Sequence, residues 1–152
     1  MATLRDSIEI EAASEKTFNG LIKVFSSEQH FRRWHKDHVT CRWCRGKPFG
    51  IGSVLYVEEY LHGQLHRMRF LGTGLEPNRK IEYKLLFPTS IVCPDGSFVM
   101  EPKGGSCIFT ATLSFRLGWL FSTFARRRVE AIKKHMKEEG ENLKELLEKG
   151  EI

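Results

Sequence analysis

Residues 52–70 read GSVLYVEEYLHGQLHRMRF. Two alternating segments flank His62-Gly63, a pair that suits a two-residue hairpin turn. With two loop residues, odd-numbered positions before the turn pair with even-numbered positions after it. One face then collects Leu55, Val57, Glu59 and Leu61 with His66, Met68 and Phe70. The other collects Tyr56, Glu58 and Tyr60 with Arg67 and Arg69. The first is mostly apolar and predicts an inward side. The second is polar, and Glu58 can pair with an arginine across the strands.

The same rule extends along the chain. Around Pro77-Asn78 it places Met68, Phe70, Gly72 and Gly74 on one face with Ile81, Tyr83, Leu85 and Phe87. Around Gly104-Gly105 it places Phe98 and Met100 with Cys107, Phe109, Ala111, Leu113 and Phe115. Further turn signals lie at Gly46 to Gly52 and at Pro94-Asp95-Gly96. Each hairpin gathers its apolar residues on one side, which predicts one antiparallel sheet with one buried face. Gly72 and Gly74 point inward in this reading. They let the sheet bend, or they leave space under it.

The flanks carry helical spacing. Residues 4–12 alternate as a first strand, with Ile8, Ile10 and Ala12 on one side. Ser14 then stands as an N-cap before Phe18, Leu21, Ile22 and Phe25. A second short helix runs from Ser27 to about Trp34, with Phe31 and Trp34 on its apolar side. After Phe115, Ser122 or Thr123 can cap a long helix whose stripe is Val129, Ile132, Met136, Leu143 and Leu147. The expected class is α+β. A curved antiparallel sheet of six to seven strands wraps a long C-terminal helix, with two short helices after strand one. Residues 1–152 read as one domain, since no linker or repeat interrupts them.

At 41% hydrophobic and 28% charged residues the chain is of globular type. No apolar run approaches the roughly 20 residues of a membrane span, and the N-terminus lacks the apolar stretch of a secretion signal. A cytoplasmic location is expected, in which Cys41, Cys44, Cys93 and Cys107 stay reduced. The net charge of +5 is concentrated locally. One cluster is Arg32, Arg33, Lys36, Arg42, Arg45 and Lys47, and a second is Arg126, Arg127, Arg128, Lys133, Lys134 and Lys137. These are ordinary solvated faces, or they meet an anionic surface or a protein partner. Nucleic acid is not the expected partner.

Several phrases carry a family resemblance. IEIEAASEKTFNGLIKVF (8–25) resembles an opening strand and helix start, and FRRWHKDHV (31–39) resembles the segment after the second short helix. GSVLYVEEYLHGQLHRMRF (52–70) and RKIEYKLLF (79–87) resemble middle strands. Together with the element order, they make the chain similar to the START and pollen-allergen superfamily, SRPBCC, with its helix-grip fold and its polyketide cyclase/dehydrase-like members. The resemblance implies a deep apolar cavity for lipids, polyketides or other hydrophobic small molecules. Members include aromatase/cyclases, transfer proteins and co-chaperones, and no phrase here selects among them.

The candidate cavity lining follows from the inward positions. The middle strands supply Val57, Glu59, His66, Met68, Phe70, Gly72, Tyr83 and Leu85. The last strands supply Met100, Phe109, Ala111 and Leu113, and the helices supply Trp34, Ile132 and Met136. No residue is assigned as catalytic. Glu59 and His66 are the candidates, adjacent on an otherwise apolar face, where a carboxylate and an imidazole could act as an acid–base pair. The competing reading leaves both solvated near the turn. No nucleophile elbow or phosphate-binding loop occurs.

His35, His38, Cys41 and Cys44 fall at three-residue intervals and are all transition-metal ligands. If residues 39–44 form a strand, Val39, Cys41 and Trp43 point inward while Thr40, Arg42 and Cys44 point outward. Residues three apart in a strand lie roughly 10 Å apart, beyond the about 4.4–6.8 Å of a disulfide. No metal is therefore assigned to the four, and a histidine-only site stays open. No cofactor is expected. The first functional expectation is a carrier of a hydrophobic small molecule. The alternatives are a cyclase or hydrolase-like enzyme using Glu59 and His66, and an interaction module such as a chaperone activator.

Overall fold

A computed structural model describes residues 1–116, 118 and 125–152. Strand β1 (Ala2–Ile10) leads into helices α1 (Ser14–Val24) and α2 (Glu28–Trp34). There follow β2 (His38–Arg45), β3 (Val54–Leu61), β4 (Gln64–Glu76), β5 (Lys80–Leu85), β6 (Asp95–Lys103) and β7 (Ser106–Phe115). Helix α3 (Ala125–Glu148) follows. The seven strands form one sheet in the order β1-β7-β6-β5-β4-β3-β2, antiparallel throughout. This is the helix-grip arrangement of the α+β class that the element order predicts.

The register of the quoted hairpin is the one expected. Leu55 faces Phe70, Val57 faces Met68 and Glu59 faces His66. Leu55, Val57 and Met68 are buried. On the last hairpin Phe98 faces Ala111 and Met100 faces Phe109. Ile10, Leu21, Phe31, Trp34, Met100 and Phe109 are among the large side chains buried in the core, each at most 2% exposed. Each such side chain contributes about 1.5–3 kcal/mol by leaving water.

Four local expectations are corrected. First, a bulge lies between Gly72 and Gly74. Gly74 pairs with Glu82 on the outer face, and Leu75 takes the inward place opposite Ile81. Gly72 does face inward, but backbone occupies its space. The Gly52 N–H donates to the Gly72 carbonyl and the Gly72 N–H donates to the Ser53 carbonyl, both at 2.9 Å. A Cβ at position 72 would collide with the Gly50 carbonyl, so glycine is required there by close backbone approach.

Second, β2 slips by one residue between His38 and Thr40. His38 pairs with Glu59, Cys41 with Val57 and Trp43 with Leu55, so His38 joins the inward set in place of Val39. Third, β5 ends at Leu85, Phe87 is 70% exposed, and Asp95 and Gly96 belong to β6 rather than to a turn. Fourth, Ala13 occupies the N-cap position of α1 and Ser14 is the first helical residue. Helix α2, expected from Ser27, begins at Glu28, and Ser27 caps it, its hydroxyl accepting the His30 N–H at 3.2 Å.

On α3 the buried positions are Ala125, His135, Met136, Gly140, Leu143, Leu146 and Leu147. Gly140 fills the gap in the expected stripe. A Cβ there would lie 3.3 Å from Asp6 Oδ2, so its absence lets the helix approach β1. The expected cap at Ser122 or Thr123 lies outside the described residues. Among the described residues, no helix is long and apolar enough to cross a membrane.

Candidate functional site

A cavity of about 420 Å³ lies between the inner face of the sheet and α3. That is within the range of small-molecule sites. Its apolar wall includes Leu55, Val57, Met68, Phe70, Leu85 and Leu113 from the sheet, with Ile132 and Met136 from the helix. The sequence-expected Glu59, His66, Gly72 and Tyr83 also line it. Trp34, Met100, Phe109 and Ala111 do not. The first three are fully buried in the core, and Ala111 packs against it. The expected lining lacks Phe25 and Phe49, aromatic residues from segments next to the sheet, and Trp43 of β2, whose inward direction is nonetheless expected. It also lacks the polar helix residues Arg128, His135 and Glu139.

Tyr83 packs its ring between Phe70 and Phe98, with centroids 5.3 and 5.7 Å away. Burial, then the negative groups nearby, keep its phenol neutral well above the ordinary range. No protein group among the described residues hydrogen-bonds its hydroxyl, which leaves that hydroxyl free for a guest.

One wall of the cavity is strongly polar: Glu59, His135 and Glu139 line it, and the buried His38 stands directly behind them. His38 comes from β2, Glu59 from the paired position on β3, and His135 and Glu139 from successive turns of α3. His38 Nε2 lies 2.9 Å from Glu139 Oε2, 3.4 Å from Glu59 Oε2 and 3.3 Å from His135 Nε2. His135 Nε2 lies 3.4 Å from each of the two carboxylate oxygens. The Glu59 side chain is only 13% exposed. It is therefore not solvated near the turn, as the competing reading had it.

The surroundings hold these groups in place. The His38 Nδ1–H donates to the Phe31 carbonyl at 2.8 Å, and the Phe31 ring stacks on the imidazole at 4.0 Å. The Trp34 Nε1–H donates to the Glu139 carbonyl and the Asn142 side-chain amide donates to the Trp34 carbonyl, both at 2.9 Å. These two bonds fasten α2 to α3. Burial alone would lower the His135 pKa, but the charges of Glu139 and Glu59 outweigh it and push the value up to about 11. Burial alone would raise Glu139, but His135 and His38 hold it below the usual carboxylate range.

Glu59 and His66 are neighbours by register, yet the Glu59 carboxylate turns to His38 and His135. His66 Nε2 instead lies 3.2 Å from His62 Nε2. Burial, then the neighbouring His62, lower the His66 pKa. This geometry offers no direct Glu59–His66 proton transfer.

Of the four evenly spaced candidates, His35 and His38 converge with His135, while the cysteines do not join them. Cys41 is buried with its thiol toward the Phe25 carbonyl, and Cys44 is exposed on the other face. The basic clusters are partly neutralised by their own surface. Arg32 pairs with Glu28, Arg33 with Glu151, Lys133 with Glu130 and Lys137 with Glu141.

The sequence profile of the family described as polyketide cyclase/dehydrase and lipid transport matches residues 1–148. The chain belongs to that family. Solved structures of the SRPBCC type share the fold. An aromatase/cyclase, Zhui from Streptomyces sp. R1128, superposes with a TM-score of 0.76 at 14% identity, covering 99% of this chain and 96% of that one. Ara h 8.0201 superposes at 0.74 with 11% identity, covering 97% and 98%. The Aha1 dimer from Colwellia psychrerythraea superposes at 0.68 with 19% identity, covering 100% of both. At such identities this likeness to members of different branches carries the architecture alone. No curated protein matches the chain by sequence.

Proposed function

We propose that this member of the polyketide cyclase/dehydrase and lipid transport family binds and carries a hydrophobic small molecule in the cavity under α3. The observation that carries the reading is the cavity itself. It is about 420 Å³ in volume and largely apolar. Its polar groups, Tyr83, Glu59, His135 and Glu139, can fix the orientation of a guest's polar end. The family description, which includes lipid transport, supports the same class of ligand. The apolar body of a lipid or polyketide-like guest would lie against Val57, Phe70, Leu113 and Met136. Its oxygen function would reach the Tyr83 hydroxyl or the histidine–glutamate wall.

The experiment is a titration of the purified chain with an environment-sensitive apolar fluorophore, followed by competition with fatty acids and aromatic polyketide analogues. Saturable binding of one probe per chain is expected, and Leu113→Trp, which fills the cavity, abolishes it. Absence of saturable binding, or binding unchanged in folded Leu113→Trp, refutes the proposal.

A further inference from the structure

The four-residue wall has the dimensions of a coordination shell. A tetrahedral ion with bonds of roughly 2.0–2.1 Å, typical of zinc with imidazole and carboxylate ligands, has ligand–ligand edges of about 3.3 Å. The five separations given for His38, Glu59, His135 and Glu139 run from 2.9 to 3.4 Å. All four ligand atoms lie within 4.8 Å of one another.

Protons alone satisfy this arrangement poorly. Each Nε2 carries at most one hydrogen, so two hydrogens would have to serve five close contacts. The two Nε2 atoms face each other at 3.3 Å. If both are protonated, two N–H groups oppose each other. If neither is, two lone pairs oppose each other beside two carboxylates. If only one is, its N–H can bridge the two rings, but the lone pair of the other still faces both carboxylate oxygens at 2.9–3.4 Å. One divalent cation at the centre turns every one of these contacts into a ligand edge and neutralises both carboxylates.

The His38 tautomer agrees. His38 donates its Nδ1–H to the Phe31 carbonyl, which leaves the Nε2 lone pair facing the cluster. Backbone support of this kind commonly orients a metal-bound imidazole. His135 is 6% exposed, and its Nδ1 has no partner among the described residues. His35 belongs to a different role. Its Nδ1 accepts the Asp37 N–H at 2.9 Å, so the hydrogen of the neutral ring sits on Nε2, directed toward Glu138 at 3.4 Å. His35 braces the His135 ring at 4.2 Å and is not a ligand.

We infer that His38, Glu59, His135 and Glu139 bind one divalent first-row transition-metal ion, zinc by its tetrahedral geometry, at the polar wall of the cavity. The ion joins β2 and β3 to α3. It does so whether or not a hydrophobic guest occupies the cavity, so failure of one reading leaves the other intact.

The test uses the full chain, stripped with a chelator, desalted and titrated separately with Zn²⁺ and Co²⁺. Elemental analysis after desalting is expected to give one zinc per chain. The cobalt form is expected to show the intense visible bands of four-coordinate cobalt, and zinc is expected to raise Tm. Glu59→Gln and His135→Gln, checked for folding by circular dichroism, should each weaken Zn²⁺ binding by more than the roughly 10–100-fold that changes around a ligand cost. Cys44→Ser should bind Zn²⁺ like the unaltered chain. If one of these ligand variants does not fold, the other decides. A folded apo chain that takes up no Zn²⁺, a weak octahedral cobalt spectrum, or uptake unchanged in a folded ligand variant overturns the inference.

Discussion

His38 on β2 and Glu139 on α3 meet at 2.9 Å between Nε2 and Oε2, with the imidazole wholly buried and the carboxylate 20% exposed. This pair joins the far edge of the sheet to the helix that covers it. Glu139→Ala removes a negative group from beside two histidines and leaves the buried polar wall unbalanced. The unfolding free energy of protein prepared without added metal should fall by about 3 kcal/mol, as measured by urea denaturation. A loss below about 0.5 kcal/mol, the level of an ordinary surface change, would show that the pair does little for stability.

Core and cavity positions should respond differently to truncation. Phe109 is 2% exposed and packed on every side, so Phe109→Ala should cost about 3–5 kcal/mol. Phe70 already borders the cavity, so Phe70→Ala should cost distinctly less while reducing probe binding more. Equal losses of stability would contradict the assigned boundary between core and cavity.

The four thiols should separate sharply by reactivity. Burial pushes Cys41 and Cys93 up to about 12, and Cys107 is also raised by burial. Cys44 is exposed. Under native conditions at pH 8 a disulfide-exchange reagent should titrate one thiol quickly, with all four reacting in denaturant. Cys44→Ser should remove the fast phase. A second fast thiol would mean that the inner face is more open than described.

Tyr83 sets an alkaline limit. Its phenol stays neutral in the fold well above the ordinary value, whereas in the unfolded chain it ionises near pH 10. The unfolded state therefore loses its proton first, and stability is full below about pH 10 and falls as pH rises beyond it. In an absorbance titration, the Tyr83 share of phenolate should appear only together with unfolding. Tyr83→Phe should abolish that share. A phenolate signal from Tyr83 in the intact fold would contradict its buried placement.

Much of the architecture is legible in the sequence, because the two-residue period of a strand and the parity of a tight turn are strong constraints. The hairpin at His62-Gly63 places Glu59 opposite His66 from the sequence alone, and the observed register agrees. Parity fails wherever a strand carries an extra residue. Near Val39 such a slip brings His38 inward. Near Thr73 another turns Gly74 outward. The slip near Val39 has no sequence signature, whereas the Gly72-Thr73-Gly74 pair is a bulge signal that does not by itself say which residue is the extra one.

Glu59 and His38 are candidates on sequence, but the helix half of the polar cluster escapes for a second reason. His135 and Glu139 are four apart on α3, in the apolar stripe beside Met136, so HMKEE did carry a signal. Their relation to His38 and Glu59 depends on how the helix lies across the sheet, which no local pattern encodes. Gly72 teaches the converse. Its inward direction is readable, but the backbone that fills its space comes from the loop at residues 46–53.

The most direct test of the carrier reading is native mass spectrometry of the full chain mixed with a small library of fatty acids and aromatic polyketide analogues. The account predicts a complex of one chain with one apolar molecule, absent from folded Leu113→Trp. A spectrum showing only the free chain at every ligand concentration, or equal binding by the filled-cavity variant, would contradict it.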